Sequence, residues 1–246
     1  MGRRGGGLPG ADAAHLGAEL GTLAKSILAI GRLLIYGIDG ILRSLFGVKP
    51  FTQDPACILR ISSERSQQEL LLSDGTRIQR GDPLIGLHAW NERLRDRGSK
   101  EGSLAWGRLL LRGQTSSLRL LGDHVATNPG LSTALALRAE LSFVTDLRQA
   151  SDIFSRLGFD LVLLDQPGGR VWRRAFWDNL YAYGLMWAYS PASLTGKRLS
   201  DLKRVQIWMS SSRLAELYGR NTGPQARCCN PLLRGEGRPP TSENSD

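Results

Sequence analysis

The stretch LGAELGTLAKSILAIGRLLIYGIDGILRSLFGV, from Leu16 to Val48, constrains this chain more than any other. Ile27, Ile30, Leu34, Ile38, Ile41 and Leu45 recur every three or four residues, which draws one stripe along a helix. Lys25, Arg32 and Asp39 are spaced by seven and fall together on another face. Leu28, Leu33, Ile35, Leu42 and Phe46 widen the apolar arc beyond that of a simple surface helix. Arg32, Asp39 and Arg43 interrupt the run, so it fits neither an export signal nor a spanning helix well. Something must cover such an arc. Three covers remain open: the helix's own domain, a second copy of the chain, or a membrane interface. Gly31, Gly37 and Gly40 also suit close helix contact.

Pro50 ends this segment, and the pattern beyond it changes. ACILRISS alternates, with Cys57, Leu59 and Ile61 on one side and Arg60 and Ser62 on the other, as in a strand with one wet face. ELLLSDGTRI holds two short strands around Asp74-Gly75, a strong local hairpin signal. A turn at Arg80-Gly81-Asp82-Pro83 then delivers LIGLHAW as the next strand. LAWGRLLLRGQTSSLRLLGDHVATN reads as helical, with Gly113 expected to kink or divide it. ELSFVTD (strand), LRQASDIFSRLGF (helix closed by Gly158) and DLVLLDQPGG (strand) follow, a crossover unit if the two strands are parallel. An aromatic helix ending at Pro191 carries Phe176, Leu180, Tyr183 and Trp187 on one stripe, which reads as core. KRVQIWMSS and SRLAELYG supply a last strand and helix.

Strands and helices thus mix without a regular repeat. The fold expected is α+β: a single mixed-sheet domain packed with helices, preceded by an apolar amphipathic helix. Residues 1–15 and 220–246 are glycine-, proline- and polar-rich and are expected to be disordered tails, with the helix over 16–49 and the globular part over 50–219.

Composition excludes less than it first suggests. The net charge of +9 invites nucleic acid, but only five of the 32 basic residues are lysine and acids lie between the arginines. The densest basic segment, Arg93 to Arg119, comes with no zinc finger or aromatic RNA-binding signature. Nonspecific attraction is the most that this charge supports, and no specific nucleic-acid partner is expected. Cys57 sits in an apolar stretch as a small core residue, and Cys228 and Cys229 are adjacent without nearby ligands. A reducing, cytoplasmic setting is the simplest one.

LIGLHAWNERL is where chemistry gathers. If Leu84 to Trp90 is extended, Ile85, Leu87 and Ala89 share an apolar face that should meet the helices. Leu84, His88 and Trp90 then share the other face. Asn91 and Glu92 follow at the strand's end, where Asn91 could cap a short helix and Glu92 could pair with an arginine. His88 is either a hydrogen-bonded structural histidine or the centre of a site. A pairing of His88 with Asp82 or Asp123 would suit acid–base work, though nothing in the spacing brings them together. His124, beside Asp123 at a helix end, is explained by the helix dipole. His15 and His124 offer no paired ligand spacing to His88, so no metal is expected. There is no GxSxG elbow and no phosphate loop, and no cofactor is expected. The candidate binding residues are His88, Trp90, Asn91, Glu92 and Asp82.

PACILRI, LSDGTRIQRGDPLIGLHAWNERL and RLGFDL, in that order and spacing, resemble the YkoP-like domain family over roughly Phe51 to Gly219. The most specific piece is the Asp-Gly turn, the Gly81-Asp82 turn and Leu87-His88-x-Trp90-Asn91 together. The resemblance implies a bacterial domain also found attached to polysaccharide deacetylases, hence a link to cell-envelope lipid or carbohydrate metabolism. The deacetylase itself is missing, with neither its paired aspartates nor His-x-x-x-His, so no catalytic residue carries over. The expected function is a noncatalytic accessory or binding module. Its partners would be a lipid- or carbohydrate-linked ligand and either a membrane surface or a second copy through residues 16–48. Its place would be the cytoplasm, peripheral at the inner membrane. The alternatives are a small transferase or hydrolase around His88, Asn91 and Glu92, and a nonspecific nucleic-acid binder.

Overall fold

The computed structural model describes residues 10–98, 103–144, 146–163, 170–194 and 203–219. The expected tail beyond residue 219, with Cys228 and Cys229, lies outside them, as do residues 1–9. The chain forms two compact units, Met1–Val48 with Pro167–Leu202, and Lys49–Gln166 with Lys203–Asp246. The fold is α+β.

The second unit is built on a five-stranded mixed sheet. Its strands are β1 (Leu59–Arg65), β4 (Pro83–Ala89), β5 (Ala136–Val144), β6 (Asp160–Leu163) and β7 (Lys203–Ser210), in the order β1-β4-β5-β7-β6. β2 (Leu70–Leu71) and β3 (Arg77–Ile78) form the separate hairpin expected around Asp74-Gly75, with Gly75 at φ +85°. β4 pairs with β5 in parallel. A parallel neighbour needs a long crossover. That connection contains α2 (Asn91–Gly98), α3 (Ser103–Thr127) and the single turn α4 (Pro129–Ser132). β5 and β6 both run antiparallel to β7, so they are parallel to each other, but β7 lies between them. The expected β5–helix–β6 crossover through α5 (Leu147–Arg156) therefore skips a strand, filled later by the chain's last strand.

The main core lies on one face of the sheet. Ile61, Ile85, Leu87, Leu137, Ile207 and Met209 meet Leu118 and Leu121 of α3, Phe159, and Leu214 of α7 (Ser211–Tyr218). α3 runs through Gly113 as one helix, so the glycine does not divide it. A Cβ there would sit 3.0 Å from Ile58 Cδ1, so this glycine serves close approach of the helix to the chain entering β1. Ala89, expected with the helices, is exposed at the strand's end. On the opposite face, the β2–β3 hairpin covers Leu84, Ala136 and Trp208 with Leu72 and Ile78. Asp74 holds this hairpin to the end of β7 by accepting from the Ser210 hydroxyl, and Ser210 caps α7 by accepting from Arg213 N–H at 2.9 Å.

The first unit pairs α1 (Gly10–Leu45) with α6 (Arg170–Tyr189). α1 begins six residues before the apolar run at Leu16. Its polarity is inverted relative to a water-soluble helix. Ile27, Ile30, Leu34, Ile38, Ile41 and Leu45 are each at least half exposed, while Asp39 is buried at 3% exposure. Asp39 accepts from the Tyr181 hydroxyl at 2.7 Å and the Tyr189 hydroxyl at 3.1 Å, with Arg43 Nε 3.3 Å away. Tyr36 donates to Ala188 O, and Arg32 lies over the Trp187 ring. Burial, with the Asp39 carboxylate beside it, pushes the Tyr181 hydroxyl above its ordinary pKa. The aromatic helix read as apolar core is thus also a set of polar partners. Gly31 admits the Trp187 ring, 3.1 Å from where a Cβ would stand.

Candidate site on the polar face of the sheet

Alternation along β1, β4, β5 and β7 puts a second set of side chains opposite the main core. In the β1–β4 register Arg60 faces His88 and Ser62 faces Gly86; in β4–β5 Gly86 faces Arg138. Glu140 of β5 faces Gln206 of β7. These polar residues share one face because strand side chains have a period of two.

They form a seam. Ser62 Oγ lies 2.8 Å from His88 Nε2 and donates to Glu64 Oε1 at 2.9 Å. His88 Nε2 is 3.7 Å from the same carboxylate oxygen. Arg138 Nε lies 3.4 Å from Glu64 Oε2, and Arg138 Nη2 lies 3.9 Å from Glu140 Oε2. Glu140 also pairs with Arg204. Gln206 Oε1 then accepts from Gln68 Nε2 at 3.1 Å and Trp208 Nε1 at 3.2 Å. Burial alone would raise the Glu64 carboxyl, but the His88 hydrogen bond, the Arg138 charge and the Ser62 hydroxyl outweigh it and hold its pKa below the ordinary value. Burial, and then the charge of Arg138, lowers Arg204.

The wet face expected for β1 is not wet. Arg60 is 9% exposed and Ser62 2%. Arg60 reaches Glu92 through both terminal nitrogens, at 3.1 and 3.2 Å, and lies over the Trp90 ring at 4.6 Å from its centroid. Arg93 lies 3.6 Å from the same centroid while donating to Cys57 O at 2.8 Å. Trp90 donates its backbone N–H to Ile58 O, closing the end of the β1–β4 pair.

The sequence candidates thus separate. Trp90 and Glu92 belong to an arginine-bound corner that locks α2 to the strand ends. Asn91 is the first residue of α2. Asp82 accepts from Gln79 N–H at 2.6 Å in the turn before β4. His88 meets Ser62 and Glu64 instead, neither of which had been singled out. Ser62 and Glu64 stand two residues apart on β1, on the face that also carries Arg60, but the run SSER is polar throughout and does not mark them out in the sequence. Among the described residues no three histidine, cysteine or acidic side chains lie together as a metal could require.

Chemically the seam can orient an imidazole against a carboxylate and hold guanidinium groups beside it. No curated protein and no solved structure matches the chain. The model of the YkoP domain matches residues 32–218, taking in the C-terminal part of α1 that the motif resemblance, read from Phe51, left out. That match spans most of the sequence and contains both the seam and the α1–α6 contacts, so the chain belongs to the YkoP domain family.

Proposed function

We propose that this YkoP-domain chain is a binding module held at a lipid surface through α1, with an accessory role in envelope lipid or carbohydrate metabolism. The single observation behind it is the inverted polarity of α1. Asp39 and Arg32 of its charged side meet α6, while its apolar stripe from Leu23 to Leu45 is left exposed. Gly21–Leu45 is long and apolar enough to cross a membrane, yet Lys25 and Arg32 favour lying in the interface. Moving half-exposed stripe residues into lipid gains on the order of 5–10 kcal/mol in total. The net charge of +9 adds attraction to anionic headgroups. The reading places the protein peripherally on the cytoplasmic side of a membrane, with a lipid- or carbohydrate-linked ligand. It includes no specific nucleic acid, since Arg60, Arg138 and Arg204 of the sheet face are paired with carboxylates.

The test is flotation of the full chain with phosphatidylethanolamine–phosphatidylglycerol vesicles. Wild type should rise with the vesicles, and the Leu34→Glu, Ile38→Glu double variant should stay behind with an unchanged near-ultraviolet spectrum. A wild-type chain that ignores vesicles, yet is a dimer dispersed by the same double variant, would replace the lipid reading with self-association.

A second reading, a small hydrolase or transferase, is favoured by a separate observation: His88 is held against the half-buried carboxylate of Glu64.

A further inference from the structure

Proton bookkeeping at Ser62 fixes the direction of its contact with His88. The Ser62 hydroxyl has one proton, and Glu64 Oε1, 2.9 Å away, is a carboxylate oxygen that can only accept. The hydroxyl proton therefore goes to Glu64. The 2.8 Å contact between Ser62 Oγ and His88 Nε2 must then be filled from the histidine side, with Nε2–H donating. Neutral His88 is the Nε2–H tautomer, and its lone pair lies on Nδ1. Among the described residues no hydrogen bond reaches Nδ1, and the side chain is 37% exposed.

We propose that His88 Nδ1 is a general base, with Ser62 and Glu64 as its positioning residues, acting on water or a ligand hydroxyl that attacks an acyl ester. Taking up the proton leaves an imidazolium whose Nε2–H is 3.7 Å from Glu64 Oε1 and linked to it through Ser62. The carboxylate both fixes the tautomer and stabilises the charge that forms, as a carboxylate does for the histidine of a hydrolytic triad. Ser62 is not the nucleophile, because it is 2% exposed and its proton is committed to Glu64. Gly86 completes the device. A Cβ there would overlap Glu64 Oε1 and Ser62 Oγ, so only a glycine in β4 lets the carboxylate lie across the strand beneath the imidazole.

The inference rests on the hydrolase reading and is independent of the lipid contact, so its test contains no lipid. The probe is p-nitrophenyl acetate with the full chain. Water forms the new C–O bond to the acetyl carbon as its proton passes to Nδ1. The bond to p-nitrophenolate breaks, and the proton then leaves to solvent with acetate as the other product. The protein-dependent rate should fall roughly tenfold in His88→Gln and severalfold in Glu64→Gln, while His124→Gln keeps the wild-type rate. In ¹⁵N NMR of the wild type, neutral His88 should carry its proton on Nε2, and Glu64→Gln should shift the tautomer balance toward Nδ1–H. The NMR measurement stands even if a variant fails to fold. A full rate in His88→Gln overturns the hydrolase reading together with the inference. A rate lost in His88→Gln but unchanged in Glu64→Gln, or an Nδ1–H tautomer in the wild type, overturns the relay alone.

Discussion

The carboxylate of Glu64 occupies the space that a side chain at Gly86 would fill. The two residues lie on neighbouring strands, with Gly86 directly opposite Ser62 in the β1–β4 register. The missing Cβ is what lets an acid, a hydroxyl and an imidazole share one patch of an otherwise close-packed sheet.

Gly86→Ala should therefore cost about 1–3 kcal/mol, because the methyl must displace the Glu64–Ser62 pair or distort β4. Urea unfolding with Trp fluorescence measures it. Gly107→Ala is the control, since a Cβ at that α3 position meets nothing within 4 Å. It should be neutral or slightly stabilising.

Acid should weaken the polar face through Glu64. Its folded pKa is lowered from the ordinary 4.5, so its contribution is fully present above that value and is lost as the pH falls through the lower folded value. Denaturant melts of wild type and Glu64→Gln should differ above pH 5, at roughly that pH and upward, and converge as both become uncharged at this position. Curves that stay parallel down to the acid limit would remove Glu64 from the linkage.

Asp39→Ala should cost about 3 kcal/mol or more in thermal or urea unfolding. It removes the shared acceptor of two phenolic hydroxyls and an arginine from a buried position. Tyr181→Phe deletes one of those hydrogen bonds and should cost about 1 kcal/mol. A cost for Asp39→Ala no larger than that of Tyr181→Phe would mean the cluster does not hold α1 to α6.

Ser210→Ala should loosen two elements at once, the start of α7 and the β2–β3 hairpin. The hydroxyl that caps the helix also donates to Asp74. Burial raises the Asp74 carboxyl, but Ser210 and the Thr76 hydrogen bonds outweigh it and lower its pKa. The expected loss is about 1–2 kcal/mol, with faster amide exchange at Leu72, whose N–H donates to Thr76 O, and at Thr76, whose N–H donates to Asp74 Oδ1.

Local pattern alone settled a good deal of this protein. The three- and four-residue steps from Ile27 to Leu45, the Asp74-Gly75 turn, Gly158 after α5 and the alternation of Leu59, Arg60, Ile61 and Ser62 all come from backbone geometry repeating over a few residues. Periodicity says which residues share a face. It does not say what the face meets. Asp39 reads as part of a solvated stripe until Tyr181 and Tyr189, 142 and 150 residues away, bury it and turn the apolar side of α1 outward. His88 reads as a neighbour of Trp90, Asn91 and Glu92 until sheet register sets it beside Ser62 and Glu64, while Arg60 draws Glu92 away. Strand order was decided by tertiary structure too, since β7, last in sequence, inserts between β5 and β6. Hydrogen bonds and charges act over a few ångströms, and only the folded chain decides which distant residues come that close.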